Sequence, residues 1–207
     1  MTDWQAWHGD YDDQNSSLSR RLRVVQQRLD ELVSGEARVQ RILSLCSGDG
    51  RDIVPVLARQ SNKQRPEVVL VELDPALAAA AEHRALDADV AATVVVGDAG
   101  LATTWHDVAP VDLLMLCGIF GNISDADIRT TIDAARGMLT PGGSVIWTRG
   151  YFADQDLRPQ VRLWFTEAGF TEIVFDAEPT GYGVGVNRLA SDTNATFVPE
   201  RLFTFVR

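Results

Sequence analysis

Cysteine is scarce in this 207-residue chain, and so is positive charge. The only two cysteines, Cys46 and Cys117, are far apart, so the sequence has neither a disulfide framework nor a CxxC zinc motif, and no metal site is expected. The chain has 19 Lys and Arg against 29 Asp and Glu, a formal net charge of -10. This charge argues against a nucleic-acid or anionic-membrane partner and favours a neutral or cationic small ligand.

Long apolar runs are also lacking. No stretch approaches the roughly 18 residues that a membrane span needs, and the N-terminus does not have the basic and apolar segments of a signal peptide. We therefore expect a cytoplasmic protein with no membrane partner. Its 45% hydrophobic content is enough for one domain over residues 1–207, and a homodimer is compatible with this size.

The sequence does contain short apolar runs that alternate with amphipathic segments. Five runs rich in β-branched residues and leucine are predicted strands: 42–46, 68–73, 93–96, 111–116 and 144–148. Helix-start signals lie between them, such as Asp74 before Pro75 and Ser124 three residues before Asp127. This alternation predicts an α/β fold with a doubly wound, mostly parallel sheet and helices on both faces.

The two ends of the chain depart from this alternation. In residues 1–35, Ser16 and Ser17 can cap a helix, which we interpret as a helical lid or cap; its basic residues Arg20, Arg21, Arg23 and Arg28 are expected to face solvent. After the predicted core at 38–150, residues 151–207 contain a predicted helix at 159–168. Three apolar runs follow it without helices between them, at 170–175, 184–189 and 202–206. Because hairpin-length connections cannot make parallel crossovers, these runs are predicted to pair antiparallel at one edge.

Polar residues and glycines follow the predicted strands. In an open parallel sheet, ligands bind beyond the carboxyl ends of the strands, where the strand order reverses. Gly48 and Gly50 follow the first strand and would allow a close approach of the backbone to a bulky ligand. Glu72 ends the second strand, where a carboxylate can accept hydrogen bonds from both hydroxyls of a ribose. Asp98 follows the third strand and can accept from an adenine amino group.

Together these segments resemble the class I S-adenosylmethionine-dependent methyltransferases of the bacterial small-molecule type. Residues 43–50 (LSLCSGDG), 71–75 (VELDP) and 97–99 (GDA) are similar to their first three motifs, and 112–118 (DLLMLCG) and 139–143 (LTPGG) to their fourth strand and the following glycine turn. Two positions depart from the pattern: Ser44 replaces an acidic residue, and Cys46 replaces the first glycine.

The resemblance implies a seven-stranded sheet with an antiparallel C-terminal edge and S-adenosylmethionine as the cofactor. It places the first-turn glycines near the methionine moiety, Glu72 on the ribose and Asp98 with Ala99 at the adenine. Polar residues of the first turn would replace the missing contacts at the methionine end. The predicted cofactor-binding residues are Ser47, Gly48, Asp49, Gly50, Asp52, Glu72, Leu73, Asp98, Ala99, Cys117 and Gly118.

The acceptor side carries a less specific pattern. His8 and Tyr11 lie in an N-terminal segment that could close over the cofactor and act chemically, although Trp4 and Trp7 in the same segment equally fit a helix docked on the sheet. Asn122 could orient an acceptor or cap the next helix. Other residues expected to border the acceptor are Phe120, Arg149 and Tyr151; Arg149 could bind a carboxylate or pair with Asp154.

The predicted function is methyl transfer to a small molecule by in-line displacement. Residues 118–122 lack the Asn/Asp-Pro-Pro-Tyr/Phe signature of related enzymes that act on nucleic-acid bases or protein glutamine. One alternative is an NAD(P)-binding Rossmann oxidoreductase, although Ile53 stands where its third glycine would be and no second domain is evident. The other alternative is a noncatalytic protein that binds the adenosyl cofactor.

Overall fold

The computed structural model describes residues 11, 13–35, 39–60, 65–153, 155–191 and 197–206. Within these ranges the chain forms five α-helices, seven strands and a short 3-10 helix. In chain order they are α1 (Ser17–Val33), β1 (Arg41–Leu45), α2 (Val54–Arg59), β2 (Glu67–Glu72), α3 (Pro75–Asp87), β3 (Ala92–Val96), the 3-10 helix (Ala102–Thr104), β4 (Val111–Leu116), α4 (Asp125–Met138), β5 (Leu139–Gly150), α5 (Arg158–Glu167), β6 (Phe170–Ala177) and β7 (Tyr182–Leu189).

The strands form one sheet in the order β3-β2-β1-β4-β5-β7-β6. The first five strands run parallel to one another, whereas β7 runs antiparallel to both β5 and β6. The predicted doubly wound, seven-stranded sheet with an antiparallel C-terminal edge is therefore confirmed. The strand order reverses at β1 and β4, so the carboxyl ends of these two strands mark the expected ligand site.

Side chains alternate between the two faces of the sheet and build two cores. On β1, Ile42 faces a core formed with α1, α2 and α3, whereas Leu43 and Leu45 face a core formed with α4 and α5. All three side chains are fully buried. Because both faces of the central strands are covered, these strands appear in the sequence as continuous apolar runs.

Three serine or aspartate side chains begin the helices predicted from them. Ser16 accepts a hydrogen bond from the Ser19 amide at the start of α1, and Ser124 accepts from Asp127 at the start of α4. Asp74 accepts from two amides in the first turn of α3, directly before Pro75. Each cap satisfies a backbone donor that the first helical turn leaves unpaired.

The basic residues of α1 do not form the solvent-facing row expected from the sequence. Arg20 pairs with Glu178 at 2.5 Å and Arg28 pairs with Asp176 at 2.7 Å, so both join α1 to the antiparallel edge of the sheet. Arg21 lines a cavity instead. The expectation holds for Arg23, which is exposed, and was wrong for Arg20, Arg21 and Arg28, because the helix packs on β7, whose acidic neighbours were not visible from local periodicity. None of the described helices is long and apolar enough to cross a membrane.

The third predicted C-terminal strand, at 202–206, does not join the sheet. Residues 200–206, here called the C-terminal strap, make only isolated bridges, Leu101 with Arg201 and Ile123 with Phe205. Leu202 and Phe203 are nearly completely buried among residues of the core beside α4. Their apolar character reflects this packing against loops and not strand pairing.

Glycines in β7 leave room for aromatic rings. A Cβ at Gly185 would collide with the indole of Trp147, and one at Gly183 would press on the ring of Phe175. Trp147 stacks on Phe175 at 5.7 Å between ring centroids and donates a hydrogen bond to Asn187 at 2.7 Å. The glycine-rich stretch is therefore a regular strand, and aromatic rings from neighbouring strands fill the space beside its glycines.

Gly50 offers a stability test of the turn after β1. Its φ of +71° lies in the left-handed region, and a Cβ there would lie 3.3–3.5 Å from Val54, Leu70 and Ala81. We expect Gly50→Ala to lower the free energy of unfolding by about 2 kcal/mol, through backbone strain and crowding together. Urea denaturation measures this value. Gly118→Ala is the matched control, because Gly118 has a φ of +78° but no atom within 4 Å of an added Cβ; an equal loss in both variants would contradict the contribution from crowding.

Candidate active site

A cavity of about 570 Å³ lies at the carboxyl edge of the sheet, where the strand order reverses. It brings together the turns that follow β1, β2, β3 and β4. All predicted cofactor-binding residues line it except Gly50, whose surroundings are core side chains. The turn after β1 is thus built from two kinds of glycine, one facing the cavity and one needed for packing.

Cys46 takes over the backbone role of the glycine that it replaces. It has a φ of +55°, and Gly48 has a φ of +57°, so the chain turns sharply as it leaves β1. A residue with a side chain adopts this conformation at a cost of about 1–2 kcal/mol. Ser47 closes the turn by donating its amide to Val71 on β2 at 3.0 Å. The strained turn therefore holds backbone amides at the edge of the cavity.

Glu72 is fixed by the backbone on both sides of its carboxylate. Oε2 accepts the Gly48 amide at 2.7 Å, and Oε1 accepts the Asp74 amide at 2.9 Å. The residue is only 9% exposed, and it ends β2 beside the cavity. Each oxygen keeps a second acceptor position, so the carboxylate can receive two hydroxyl groups without changing its orientation.

Asp98 is held in a similar way after β3. Its Oδ1 accepts the Gly100 amide at 2.8 Å, and its Oδ2 pairs with Arg201 of the C-terminal strap at 3.0 Å. Ala99 beside it is buried, and its carbonyl accepts the indole N–H of Trp105 at 3.0 Å. A carboxylate acceptor therefore stands next to a small apolar residue at this end of the cavity.

Asp49 is occupied by two arginines. Arg51 lies 2.8 Å and Arg84 2.6 Å from Oδ2, and Arg84 also donates to the Asp49 carbonyl. Burial alone would raise the pKa of Asp49, but hydrogen bonds and charge from the two guanidinium groups hold it below its usual value. Asp49 thus anchors the turn to α3 while it also lines the cavity, and its predicted place at the methionine moiety stays a prediction.

Asp52 carries a buried carboxylate oxygen, Oδ1, that has no hydrogen-bond partner within the described ranges. Burial raises the pKa of Asp52 to about 6; the negative charge of Asp49 adds to this increase, while backbone amides and the positive charge of Arg21 oppose it. A buried acceptor without a donor is costly in a folded protein and often marks a functional site. Asp52 is therefore ready to receive a cationic or hydrogen-bonding ligand.

Tyr11 lies next to Asp52 and Arg21 in the cavity wall. Its hydroxyl accepts a hydrogen bond from Arg21 at 2.7 Å, and the Arg51 guanidinium lies 4.3 Å from the ring centroid. Burial raises the pKa of Tyr11, so its hydroxyl stays protonated at neutral pH. His8, the other residue predicted from this segment, lies outside the described residues, as do Trp4 and Trp7.

The charged groups divide the cavity into two ends. Asp52 and Arg21 act electrostatically on the Cys117 thiol, whereas Glu72 and Asp98 act on the Cys46 thiol. Burial raises the pKa of both thiols, which are free and stay protonated. The end near Cys117 thus has Asp52 and Arg21, and the end near Cys46 has the carboxylates of Glu72 and Asp98, the latter paired with Arg201.

Apart from Tyr11, the described residues predicted for the acceptor do not line this cavity. Phe120 is fully buried and packs on Trp147 with 6.1 Å between ring centroids, so it is a core residue. Arg149 is 6% exposed, donates to the Phe120 carbonyl at 2.9 Å and lies 4.7 Å from the Phe152 ring centroid. Tyr151 lies 5.1 Å from the guanidinium of Arg158. Asp154, considered as a partner of Arg149, is outside the described residues.

Asn122 does not cap the following helix, because Ser124 does. Its side-chain amide donates to the Gly118 carbonyl at 2.7 Å, and its own carbonyl accepts the Val206 amide at 2.8 Å. Gly118 lines the cavity, and its amide donates to the Thr148 hydroxyl at 2.8 Å. Asn122 therefore supports the turn after β4 from outside the cavity.

Some cavity residues were not predicted from the sequence: Arg21, Leu22, Leu77 and Phe205. Leu22 and Leu77 carried a signal as apolar positions of helices, but nothing distinguished them from core residues. Phe205 comes from the C-terminal strap, whose path across the cavity follows from tertiary packing.

Comparison with known proteins is consistent with this geometry. Residues 42–143 match a family model described as a methyltransferase domain. No curated protein matches the chain in sequence. An O-methyltransferase family protein from Burkholderia thailandensis superimposes with a TM-score of 0.64 at 18% identity, over 83% of this chain and 58% of that one.

Two further solved structures are similar. A protein from Pyrococcus horikoshii superimposes with a TM-score of 0.64 at 14% identity, over 91% of this chain and 99% of that one. An N,N-8-amino-8-demethyl-D-riboflavin dimethyltransferase from Streptomyces davawensis has a TM-score of 0.58 at 20% identity, over 84% and 56% of the two chains. This chain thus spans less than two thirds of two of the three proteins.

The fold and the cavity define an α/β protein with a cavity at the switch point of its sheet. The match over residues 42–143, just under half of the chain, narrows the comparison: this region is similar to a methyltransferase domain.

Proposed function

We propose that this protein binds S-adenosylmethionine in the cavity and transfers its methyl group to a small molecule. One observation carries the proposal: a single cavity is lined by the turn after β1, the carboxylate that ends β2, the aspartate after β3 and the glycine after β4. Glu72 and Asp98 would accept hydrogen bonds from the ribose hydroxyls and the adenine amino group. The cofactor thus fits the end with two carboxylates through its hydrogen-bond donors.

The other end fits an amino-acid group. A methionine moiety carries one carboxylate and one ammonium, and Arg21 and Asp52 offer one group of each opposite charge. An ammonium donor would satisfy the Oδ1 of Asp52, which has no partner among the described residues. A ligand with an ammonium group would therefore supply the donor that the Oδ1 of Asp52 lacks among the described residues.

A nicotinamide dinucleotide fits the same turn less well. Such a cofactor places its pyrophosphate at the N-terminus of the helix after β1. Here Asp52 lies two residues before that helix with a buried oxygen that has no donor among the described residues, and a phosphate would be repelled by Asp52 when it is ionised. The helix also has only six residues, so it offers a weak dipole to an anion.

The cofactor, when bound, supplies a methyl group on a sulfonium, which an acceptor can take by in-line displacement. The residues of this chain then have to orient the two reactants and exclude water. Gly118 leaves open space where a side chain would stand, and the Tyr11 ring forms part of the wall near Asp52.

A small-molecule acceptor is supported by charge and by the similar proteins. The net charge of -10 offers no attraction to nucleic acid. One of the similar structures is a dimethyltransferase named for a riboflavin derivative, and another belongs to an O-methyltransferase family. These names support a low-molecular-weight acceptor of the same general kind.

Isothermal titration calorimetry of the purified protein tests the cofactor. S-adenosylmethionine and S-adenosylhomocysteine are expected to bind, and NAD is not. Binding of NAD alone would overturn the proposal in favour of an oxidoreductase. If the adenosyl ligands bind, incubation with labelled S-adenosylmethionine and a panel of small hydroxyl, amine and thiol compounds tests transfer, and the absence of transfer to any of them would support a noncatalytic binding protein.

A further inference from the structure

The C-terminal strap lies across the edge of the sheet at which the cavity opens. The Leu202 amide donates to the Gly100 carbonyl at 2.8 Å, after β3, and the Val206 amide donates to the Asn122 carbonyl at 2.8 Å, after β4. The strap therefore connects two loops that border the cavity. It does so without being a strand of the sheet, as an element added beyond β7.

The strap is packed as part of the domain. Leu202 and Phe203 are 1% and 2% exposed, and a Cβ added to Gly100 would collide with the backbone carbonyl of Phe203. This close approach leaves the strap little freedom to move relative to the loop that holds Asp98. Its side chains are therefore positioned before any ligand arrives.

Two strap residues contribute to the site: Phe205, which bridges to Ile123 after β4, lines the cavity, and Arg201 contacts Asp98. Phe205 lines the cavity together with Leu73 and Ala99, and Leu73 is 61% exposed. Arg201 pairs with the Oδ2 of Asp98 at 3.0 Å. An aromatic ring and exposed aliphatic surface beside a fixed carboxylate match a flat, apolar ring that carries a hydrogen-bond donor at its edge.

We propose that Phe205 stacks on the adenine ring and that Arg201 holds Asp98 towards the 6-amino group, so that the strap makes the site selective for 6-aminopurines. This inference rests on the proposed adenosyl cofactor. In it, Phe205 is a binding residue and Arg201 is a positioning residue. A purine with a 6-oxo group would present an acceptor to the Asp98 carboxylate and would be rejected.

Substitution of Phe205 tests the stacking. Phe205→Leu keeps apolar bulk but removes the ring, and it is expected to weaken S-adenosylhomocysteine binding about tenfold by calorimetry, whereas Phe205→Tyr keeps the affinity within about twofold. Phe197→Leu is the matched control, because Phe197 is 86% exposed and does not line the cavity. Equal affinity of Phe205→Leu and the wild type would overturn the stacking role.

The preference for a 6-amino over a 6-oxo purine is tested by comparing the affinities of two ligands. The wild type is expected to prefer S-adenosylhomocysteine to S-inosylhomocysteine, its 6-oxo analogue, and Arg201→Ala is expected to reduce that preference several-fold, with Arg201→Lys in between. An unchanged preference in Arg201→Ala would overturn the positioning role. If the wild type binds neither ligand, the proposed function itself fails; if it binds and the strap variants bind with unchanged affinity and preference, only this inference fails.

Discussion

Replacing Glu72 with alanine is expected to weaken S-adenosylhomocysteine binding by about 100-fold, because two charge-assisted hydrogen bonds of about 1.5 kcal/mol each are lost. The carboxylate also receives the amides of Gly48 and Asp74, so the variant releases the turn after β1 as well as the ribose. Calorimetry at pH 7.5 gives the affinity, and thermal unfolding shows whether the domain stays folded.

Two further variants separate the causes of this loss. Glu72→Gln has one carbonyl oxygen, so it can serve only one of the two backbone amides, and its affinity is expected to lie between those of the wild type and the alanine variant. Glu67→Ala removes an exposed carboxylate at the opposite end of β2 and is expected to bind normally. Wild-type affinity in Glu72→Ala would contradict the assignment of this carboxylate to the ribose.

Much of the fold could be predicted because local chemistry and tertiary packing agree there. The buried strands are continuous apolar runs, and Asp74 and Ser124 cap the helices that they precede. The carboxyl ends of successive parallel strands meet at one edge, so Glu72 and Asp98 could be assigned to one site without coordinates. The turn residues line a common cavity for the same reason.

The remaining site residues depend on contacts between distant segments. Arg21 looked like its neighbours Arg20 and Arg23 on a basic helix, and only the docking of α1 turns it into the cavity. Asp49 was one of three polar residues in the first turn, and its pairing with Arg84 needs the position of α3. The apolar run at 202–206 resembled a strand, because burial beneath loops and burial in a sheet leave the same pattern.

Asp52→Asn is expected to make the protein more stable and to weaken its binding of S-adenosylhomocysteine. Burial raises the folded-state pKa of Asp52 to about 6, from an ordinary value of 3.8. Below pH 4 the carboxyl of Asp52 is neutral in both the folded and the unfolded state, and it costs the protein no stability. As the pH rises from 4 through 6, the unfolded state ionises more readily than the folded state, and the free energy of unfolding falls. At pH 7.5 the neutral asparagine avoids this loss, which amounts to up to about 3 kcal/mol. Urea unfolding at pH 4.0, 6.0 and 7.5 measures the difference.

Asp49→Asn supplies the opposite case on the same turn. Arg51 and Arg84 hold the pKa of Asp49 below its usual value, so its charge stabilises the folded state at neutral pH and its removal is expected to destabilise the protein.

For the ligand, Asp52→Asn is expected to lower S-adenosylhomocysteine affinity about tenfold at pH 7.5, since an ammonium partner loses its counter-charge. Wild-type affinity should fall below pH 6 for the same reason. A variant that gains stability and keeps full affinity would show that Asp52 does not hold the amino-acid end of the ligand.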